Sequence, residues 1–525
     1  MNKAMIRYIL GYVLSILALL LLLPCLVALI YQEMEGFHYL AVAAFGALLG
    51  YLMIRKKPED TVFHLKEGCI ATALSWIVMS LYGCLPFWIS GEIPSFTDAL
   101  FETISGFTTT GSSILSDVEA LSHCALFWRS FTHWIGGMGV LVFLLAVIPL
   151  SGGSNMNLMR AESPGPSVGK LVPKVKHTAR ILYLIYLGMT ILQVLFLLAG
   201  KLPLFDALTT TFGTAGTGGF AIKNDSMMSY TAYQQWVYTI FMALFGVNFN
   251  AYYLILFGKF KKAFAMEEVR WYFIIIFCST AFIFFQIMGN YSTAFEALTH
   301  AAFQVSTIIT TTGFATTDFN LWPAASRTVL VLLMFIGACA GSTGGGIKVS
   351  RCVVMVKTVV KEMGSYLHPN SVKKIKLDGK PVDHEVLRSI NVFFITYMII
   401  FAASVFLVSL EGRDMVTNFT AVAATFNNIG PGLEGVGPTQ NFGALSILSK
   451  YTLMFDMLAG RLELFPLLLL FHPGVWKGNI CPKDKENLFT VSLNAISRTK
   501  AAHKRCLRLF AVKAPPFSDD LLLLW

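Results

Sequence analysis

Charged side chains are scarce in this chain. Only 13% of its 525 residues are Asp, Glu, Lys or Arg, whereas 55% are hydrophobic and the mean hydropathy is +0.64. A soluble domain of this size could not cover its surface with so few charges. The composition therefore excludes a soluble protein and predicts a polytopic membrane protein.

Arrangements of metal-binding or catalytic residues are also missing. None of the nine Cys forms a CxxC pair, and Cys25, Cys69, Cys84 and Cys278 lie inside apolar runs. Cys in such positions indicates small buried residues rather than disulfides or metal ligands. No paired Asp, Ser/His or His/Glu set has the spacing that an intramembrane enzyme would need. We therefore expect neither an enzyme nor a cofactor bound by this chain.

The net charge of +10 could suggest nucleic acid, but the basic residues are concentrated in alternate links between apolar runs. This distribution is a topology signal, because cytoplasmic links of membrane proteins carry an excess of Lys and Arg. The first two apolar runs, Ile9 to Ile30 and Phe37 to Ile54, are flanked by basic residues at their outer ends. We predict that the N- and C-termini are cytoplasmic and that nucleic acid is not a partner.

After residues 1–66, which hold these two N-terminal helices, one unit recurs four times. It consists of an apolar run of about 20 residues, a half-length segment ending in Gly, and a second apolar run. A hydrocarbon core of about 30 Å is crossed by about 20 residues, so the half-length segments cannot span it. The predicted repeats are 67–180, 181–270, 271–387 and 388–477, and 478–525 is a cytoplasmic tail without a derived function. The second runs are predicted as single helices over Phe127–Leu150, Ala232–Gly258, Arg327–Ile347 and Phe442–Phe471.

The half-length segments end in four related tracts, which we call tracts 1 to 4. Gly accepts a positive φ without steric penalty, so such a tract can turn its carbonyls inward. Rings of backbone carbonyls replace the hydration shell of K⁺ in selectivity filters. Irregular backbone at membrane depth is tolerated where it lines a cavity or is buried in protein. The tracts are Thr108–Ser112, Thr217–Phe220, Thr310–Phe314 and Asn427–Pro431.

All four repeats have the same orientation, which implies an axis along the membrane normal. The predicted fold is an all-α polytopic membrane protein with four parallel helix–re-entrant loop–helix repeats around a central pore, plus the two N-terminal helices. The alternative for any single tract is an ordinary turn before a transmembrane helix. The predicted K⁺-binding filter residues are Thr110, Gly111, Gly218, Gly219, Thr312, Gly313, Ile429 and Gly430.

A Gly-rich segment, Gly337–Lys348, interrupts the second run of the third repeat. It lacks the strand and the Gly-Lys-Ser/Thr order of a phosphate-binding loop, so nucleotide binding is excluded. Gly costs roughly 1 kcal/mol per residue against Ala in a helix, so Gly344, Gly345 and Gly346 favour unwinding. Two interpretations stay open: a close-packed helix interface, or a broken helix that gates the pore below the filter.

Arg461 is predicted in the middle of an apolar helix, Met454–Phe471. A charge there costs about 2.5–3.5 kcal/mol on insertion scales, so it should face protein or a water-filled pore. Glu463, two positions away, is not an obvious partner. Arg461 is therefore either a packing residue paired with a distant group or a positive barrier beside the Gly-rich segment.

Other polar residues carry weaker expectations. Acids after the outer ends of three tracts either attract cations to the pore mouth or are ordinary loop acids. Acids near the starts of the half-helices are interpreted as helix-start residues, which favour the positive end of the dipole. Two His residues receive no functional role. The three groups are Asp225, Asp318 and Glu434; Glu102, Asp206 and Glu296; and His133 and His300.

Taken together, seven motifs over about residues 5–477 resemble the TrkH-type K⁺ uptake subunit of bacteria, within the superfamily of Trk, Ktr and plant HKT transporters. Their order along the chain matches as well. The tail after Lys477 does not resemble the family, and tracts 2 and 4 depart from its Thr-Thr-Gly pattern. The motifs are Phe107–Ser112, Trp134–Gly139, Arg160–Pro166, Thr310–Ala315, Gly341–Lys348, Asn427–Gly432 and Gly460–Glu463.

The resemblance implies K⁺ uptake across the bacterial inner membrane by a homodimer with one pore per protomer. It also implies a cytosolic NAD- or ATP-binding partner of the TrkA type, and a gate at the Gly-rich segment with Arg461 beside it. Gly rather than Ser at position 111 goes with K⁺ rather than Na⁺ preference. Lys170–Arg180 and Lys373–Lys380 are candidate docking surfaces for that partner, although membrane lipid head groups explain the same charges.

Two other functions are alternatives to selective K⁺ uptake. A less selective K⁺/Na⁺ transporter or a cation symporter of the same fold would use the same tracts. A receptor or scaffold that binds through the basic links would leave the four tracts unexplained.

Overall fold

The computed structural model describes residues 2–59, 65–139, 175–369 and 374–476, with side chains from residue 179 onward in the helix that begins at Val175. The Arg160–Pro166 motif, residues 170–174 of the first basic link, Lys373 and the tail 478–525 lie outside the described residues. The chain divides into a unit from Asn2 to Phe471 and a unit that includes the segment from His472 onward. The described part of that segment contains one short helix, Pro473–Trp476.

Among the described residues, six helical segments are long and apolar enough to cross a membrane. They are the two N-terminal segments and the first segment of each repeat. Pro24 lies in the first N-terminal segment, Lys3–Tyr31, which is interrupted only at Leu21. The helices that build these six segments are Lys3–Leu20 with Leu22–Tyr31, Gly36–Ile54, Leu65–Gly83 with Leu85–Ser90, Val175–Ala199, Glu267–Ile287 and His384–Ser409.

Four shorter helices, which we call pore helices 1 to 4, correspond to the predicted half-helices. Three of them begin at a side-chain cap, because the side chains of Ser95, Thr293 and Asp414 each accept a hydrogen bond from a backbone amide in the first turn. Such caps satisfy amides that otherwise lack a partner. The sequence pattern predicts the third half-helix as Ala302–Gly313; this start is wrong, since the helix begins at Ala294 after the Thr293 cap, eight residues earlier. The pore helices are Phe96–Phe107, Leu204–Gly216, Ala294–Ile309 and Met415–Phe426.

In repeats 2, 3 and 4 the second segment is not the single helix that hydropathy predicts; in repeat 1 the helix ends at Met138, and residues 140–150 of the predicted helix lie outside the described residues. In repeat 2 the chain bends by 91° around Asn248, whose side chain caps the next helix. In repeat 4 the helix ends at Arg461, and both Glu463 and Leu464 have a positive φ. Apolar composition continues through these breaks, which is why hydropathy misses them. The observed helices are His123–Met138; Ala232–Phe245 and Phe249–Leu256; Ala324–Ile336; and Ile447–Arg461 and Phe465–Phe471.

In repeat 3 the break is the Gly-rich segment itself. No helix is assigned between Gly337 and Lys348, so the predicted unwinding is observed. A helix then begins at Val349 and continues to Leu367. It is followed by a small antiparallel hairpin in which Lys376–Leu377 pairs with Lys380–Pro381. The remaining short elements are the helix Phe260–Ala265 and 3-10 turns at Met288–Asn290, Phe319–Leu321 and Glu434–Val436.

Candidate functional site

The four Gly tracts share one backbone conformation. In each tract the final Gly has a positive φ, and the residue two positions before it is left-handed, with φ between 55° and 58°. The residue between these two donates its backbone amide to the carbonyl of the pore-helix residue five positions earlier, at 2.8–2.9 Å. Helices commonly end at a left-handed residue with this hydrogen bond. The residue pairs are Thr109 and Gly111, Thr217 and Gly219, Thr311 and Gly313, and Asn428 and Gly430.

The tract glycines also show that the four tracts surround one axis in chain order. A Cβ atom on Gly111 would lie 1.9 Å from the Gly218 carbonyl oxygen in tract 2. The same construction on Gly219 gives 1.9 Å to the Thr312 carbonyl in tract 3. Any side chain at these positions would collide with backbone, so only Gly allows the tracts to approach this closely.

The other two contacts close the ring. A Cβ on Gly313 would lie 2.0 Å from the Ile429 carbonyl oxygen, and one on Gly430 would lie 2.9 Å from the Thr110 carbonyl oxygen. Each glycine therefore packs against the carbonyl that precedes the glycine of the next tract. The structure thus brings all eight predicted filter residues into one closed ring of backbone.

Side chains join tract 4 to tract 1, where the glycine contact is loosest. Asn428 donates from its amide nitrogen to the Thr110 hydroxyl and to the Met457 carbonyl, both at 2.9 Å. On the outer side, the Ser112 hydroxyl donates to the Gly430 carbonyl at 2.9 Å. Asn428 thus connects the ring to the last helix of repeat 4.

A buried ion pair supports tracts 1 and 2 from behind. The Glu102 carboxylate accepts from Arg129 Nε at 2.6 Å and from the Ile114 amide at 3.0 Å. Arg129 also donates to the Ala221 carbonyl after tract 2 at 2.7 Å, and its guanidinium lies 3.6 Å from the centre of the Phe220 ring. The interpretation of Glu102 as a helix-start residue is wrong, because it lies in the middle of pore helix 1. Asp206 and Glu296 do lie in first turns.

The Gly-rich segment passes directly beneath tracts 3 and 4. The Gly345 amide donates to the Thr311 hydroxyl at 2.6 Å. A Cβ on Gly344 would lie 2.9 Å from the Thr310 carbonyl oxygen, and one on Gly345 would lie 2.3 Å from the Asn427 carbonyl oxygen. Glycine is therefore required here for close approach to the tracts as well as for unwinding.

Arg461 lies beside this segment. Its guanidinium donates to the Thr343 carbonyl at 2.9 Å and to the Gly137 carbonyl at 2.8 Å, and also to the Gly136 carbonyl. Because the helix ends at Arg461, the negative end of its dipole favours the positive charge. Arg461 and Gly344–Gly346 line the same cavity, so the structure brings together the residues predicted for the gate.

Four charged residues near the segment were not assigned a role from the sequence: Glu268, Lys348, Arg351 and Glu463. Lys348 is buried and donates from its ammonium to the Gly344 carbonyl. Glu463 is paired with Arg351. Glu268 accepts from the Ala340 amide at 2.6 Å and from the Ser350 amide at 3.2 Å, so one carboxylate joins the first half of the segment to the start of the helix Val349–Leu367. For Glu268 the available signal was an acidic residue at the start of an apolar run.

The acids expected at the outer mouth do not line the cavity above the ring. Glu434 is paired with Arg327 at 3.1 Å, and Asp318 accepts from the Asn320 amide at 3.0 Å. Lys223 and Arg129 line that cavity instead. The cation-attracting interpretation of the acids is therefore unsupported, and the loop-acid alternative fits. His300 lies 2.9 Å from the Thr316 hydroxyl, in agreement with a structural role.

Comparisons with known proteins agree with this architecture. The family model of TrkH, described as a cation transport protein, matches residues 36–477. The chain belongs to the TrkH family. It is 35% identical over 491 residues to the Trk system potassium uptake protein TrkH of Salmonella typhimurium, covering 91% of this chain and 100% of the relative. It is 32% identical to the Trk system potassium uptake protein TrkG of Escherichia coli, covering 91% of this chain and 100% of the relative.

A solved TrkH structure shows the same fold. The crystal structure of the potassium transporter TrkH from Vibrio parahaemolyticus superposes with a TM-score of 0.82 at 31% identity, covering 91% of this chain and 100% of that chain. The predicted fold class, an all-α polytopic membrane protein of parallel repeats, is thereby confirmed. The chain is a multi-pass membrane transporter of the Trk type rather than an enzyme. The residue limits of the individual repeats stay predictions.

Proposed function

We propose that this chain takes up K⁺ across the bacterial inner membrane through a central pore, with the ring of tracts 1 to 4 as its selectivity filter. The observation that carries the proposal is the closed series of contacts between tract glycines and neighbouring carbonyls. It holds the carbonyls of four tracts around one axis. Carbonyl oxygens so arranged replace the water that a permeating cation gives up. The ion bound there is the substrate, and no cofactor is needed.

The pore helices add to this attraction. Each ends immediately before its tract, so its C-terminal end is directed at the ring. A helix C-terminus carries roughly half a negative elementary charge. Four such ends around one axis favour a cation over an anion before any ion-specific contact is considered.

The choice of K⁺ among cations is supported by the relatives, which are named potassium uptake proteins, and by Gly at position 111. Tracts 2 and 4 place Gly218 and Ile429 where tracts 1 and 3 have Thr, so we expect fewer equivalent ion layers than in a fourfold symmetric channel. A less selective K⁺/Na⁺ transporter or a cation symporter of the same fold is the alternative. Flux competition between K⁺ and Na⁺ discriminates between selective and unselective transport.

We further propose that the Gly-rich segment and Arg461 close the pore below the filter. The segment contributes steric occlusion, and Arg461 and Lys348 contribute positive charge in a low-dielectric cavity, where repulsion of K⁺ is strong. A cytosolic nucleotide-binding subunit of the TrkA type would control this gate in a homodimer whose termini are cytoplasmic. The unwound backbone and the cavity shared with Arg461 support this assignment.

The filter is tested by Gly313→Ser in purified protein reconstituted into proteoliposomes. The new Cβ would lie 2.0 Å from the Ile429 carbonyl oxygen, so the ring must distort. We expect the K⁺/Na⁺ uptake ratio to fall about tenfold, which corresponds to about 1.4 kcal/mol of lost discrimination. Gly289→Ser is the matched control, because nothing lies within 4 Å of its added Cβ.

The filter assignment fails if Gly313→Ser protein, at normal yield and oligomeric size, keeps the wild-type uptake ratio. A ratio near one in the wild-type protein would instead favour the unselective alternative.

A further inference from the structure

Tract 2 differs from the other three tracts at the residue whose carbonyl packs against the glycine of the neighbouring tract. In the other tracts this residue carries a side chain that packs behind the ring. The Thr110 hydroxyl lies 2.8 Å from that of Thr108, the Thr312 hydroxyl lies 2.9 Å from that of Thr310, and Ile429 is fully buried in an apolar cluster. Gly218 has no side chain to serve this purpose.

His133 fills the corresponding space behind tract 2. A Cβ atom on Gly218 would lie 1.6 Å from His133 Nδ1 and 2.2 Å from its Cε1. These distances are far below van der Waals contact, so the imidazole occupies the position that a Gly218 side chain would take. On its other side, the imidazole packs edge-on against Phe220, with ring centres 4.3 Å apart.

The helix that carries His133 cannot easily move away from tract 2. A Cβ on Gly216, the last residue of pore helix 2, would lie 2.2 Å from the His133 carbonyl oxygen. A Cβ on Gly137 would lie 2.7 Å from Gly216 Cα. Two glycines thus let the backbones of helix His123–Met138 and pore helix 2 touch, and this contact fixes where the imidazole stands.

Within the part of the chain that the structure describes, van der Waals packing rather than hydrogen bonding holds the His133 imidazole in place. His133 is fully buried, and within those residues neither of its ring nitrogens has a hydrogen-bond partner. Leaving a buried polar group without a partner costs about 1–3 kcal/mol. The role of His133 that fits this geometry is therefore to fill the space behind Gly218 with a flat ring of this size.

We infer that His133 is a specificity-determining positioning residue, which supplies to tract 2 the side chain that the other tracts carry themselves. This inference rests on the proposed filter. The Gly218 carbonyl packs against Gly111 of tract 1, and the adjacent Gly219 packs against the Thr312 carbonyl of tract 3. A shift of tract 2 into an emptied space behind it would therefore alter the ring on both sides.

The test is a double-mutant cycle measured as the K⁺/Na⁺ uptake ratio in proteoliposomes. His133→Ala empties the space, and Gly218→Thr forces a side chain into the imidazole; we expect each to lower the ratio about tenfold, or about 1.4 kcal/mol. The double variant places a Thr behind tract 2, as in tracts 1 and 3. We expect it to return to within about threefold of wild type, because the two effects are coupled through direct contact.

Two further variants keep the test decisive. His133→Leu keeps most of the volume without the polar atoms, so it should retain the wild-type ratio even if His133→Ala is too unstable to purify. Gly313→Ser reports on the filter independently, since it lies in tract 3. The inference is overturned if Gly313→Ser lowers the ratio but neither His133→Ala nor His133→Leu behaves as stated, or if the double variant is no more selective than the single variants. If Gly313→Ser has no effect, the filter itself is refuted.

Discussion

The Glu102–Arg129 ion pair is the residue-scale feature that ties the ring to the surrounding helices. Both side chains are almost completely buried. Their remaining polar atoms bond to Ser113 and Ile114 after tract 1 and to Ala221 after tract 2. Removing one partner would leave a buried charge without compensation and would release the outer ends of both tracts.

We expect Glu102→Gln to lower the free energy of unfolding by about 3–5 kcal/mol, as is typical when one partner of a buried pair is removed. Glu434→Gln, which breaks the exposed pair with Arg327, should cost about 0–1 kcal/mol. Thermal or denaturant unfolding of the purified variants in detergent measures the difference in the free energy of unfolding. Equal costs for the two variants would show that the buried pair does not hold the structure together.

The ring residues were predictable from the sequence, but the left-handed backbone conformation of their neighbours was not. Gly111, Gly219, Gly313 and Gly430 were predictable because only Gly tolerates their conformation. The left-handed residues two positions earlier were not, since three of them are Thr, a β-branched type that rarely adopts this conformation. Their geometry depends on four pore helices ending against each other, and this tertiary constraint overrides the local preference.

At the scale of elements, the Gly-rich segment is held from two sides. Glu268 accepts hydrogen bonds from the amides of Ala340 within the segment and Ser350 just after it, and Arg461 donates to the Thr343 carbonyl near its centre. Backbone hydrogen bonds also anchor both flanks of the segment, since the Cys339 amide donates to the Gly246 carbonyl and the Lys348 amide donates to the Ile336 carbonyl, both at 3.0 Å. If this segment is the gate, as we propose, the side-chain contacts of Glu268 and Arg461 stabilise its closed conformation.

We expect Glu268→Gln and Arg461→Ala each to raise K⁺ flux several-fold in the absence of a regulatory partner, without changing the K⁺/Na⁺ ratio. The first removes a charge-assisted acceptor, and the second removes both the contact to Thr343 and the positive barrier. Basal ⁸⁶Rb⁺ or K⁺ uptake into proteoliposomes is the measurement. Glu362→Gln, an exposed carboxylate on the following helix, is the control and should leave flux unchanged.

Protein yield and oligomeric size must be compared alongside, because Arg461 also bonds to Gly137 of repeat 1. Basal flux at the wild-type level in both folded variants would place the gate elsewhere.

The helix breaks were the part of the fold least accessible from sequence. The Gly-rich segment was predicted to unwind because consecutive glycines oppose a helix. The bend at Asn248 and the break at Leu462–Leu464 carry no such signal, since their flanks stay apolar. Asn248 donates to Glu268 at the start of the helix Glu267–Ile287, and Gly460 lets the helix Ile447–Arg461 approach the Phe426 carbonyl of pore helix 4, so tertiary contacts rather than local composition decide both.

On the scale of the whole molecule, the hairpin between repeats 3 and 4 contacts the helix Val349–Leu367, which follows the Gly-rich segment. Lys357 on that helix donates to the Lys376 carbonyl at 2.7 Å and pairs with Glu267 at 2.5 Å. Lys374, Lys376 and Lys380 are exposed, in the part of the predicted docking surface that the structure describes. A partner bound there would act on the helix that begins at the end of the Gly-rich segment.

We expect reversal of these three charges to Glu to abolish co-purification of a TrkA-type subunit at physiological salt, where exposed charges act only within about 8 Å. Binding to vesicles with and without anionic lipid, measured on the same variant, separates the two explanations of the charges. Retained subunit binding together with weakened binding to anionic vesicles would assign the hairpin to lipid and refute the docking surface.

The repeats were predictable as a whole because each one places a short apolar segment and a Gly tract between longer runs, and a bilayer allows few arrangements of such a pattern. The ring order and the spacing of the tracts were not predictable, since they depend on contacts between residues about 100 to 320 positions apart.

In a pore that is assembled from four copies of one subunit, a single substitution changes all four sides of the ring. Here Thr110, Gly218, Thr312 and Ile429 belong to a single chain, so a mutation alters one quarter and leaves three as internal references. Each quarter can also diverge by itself, as Asn428 and Gly218 illustrate. Replacing one of the four amide bonds by an ester would weaken one carbonyl at a time, and the current or uptake would then report how much each quarter contributes to dehydrating the ion.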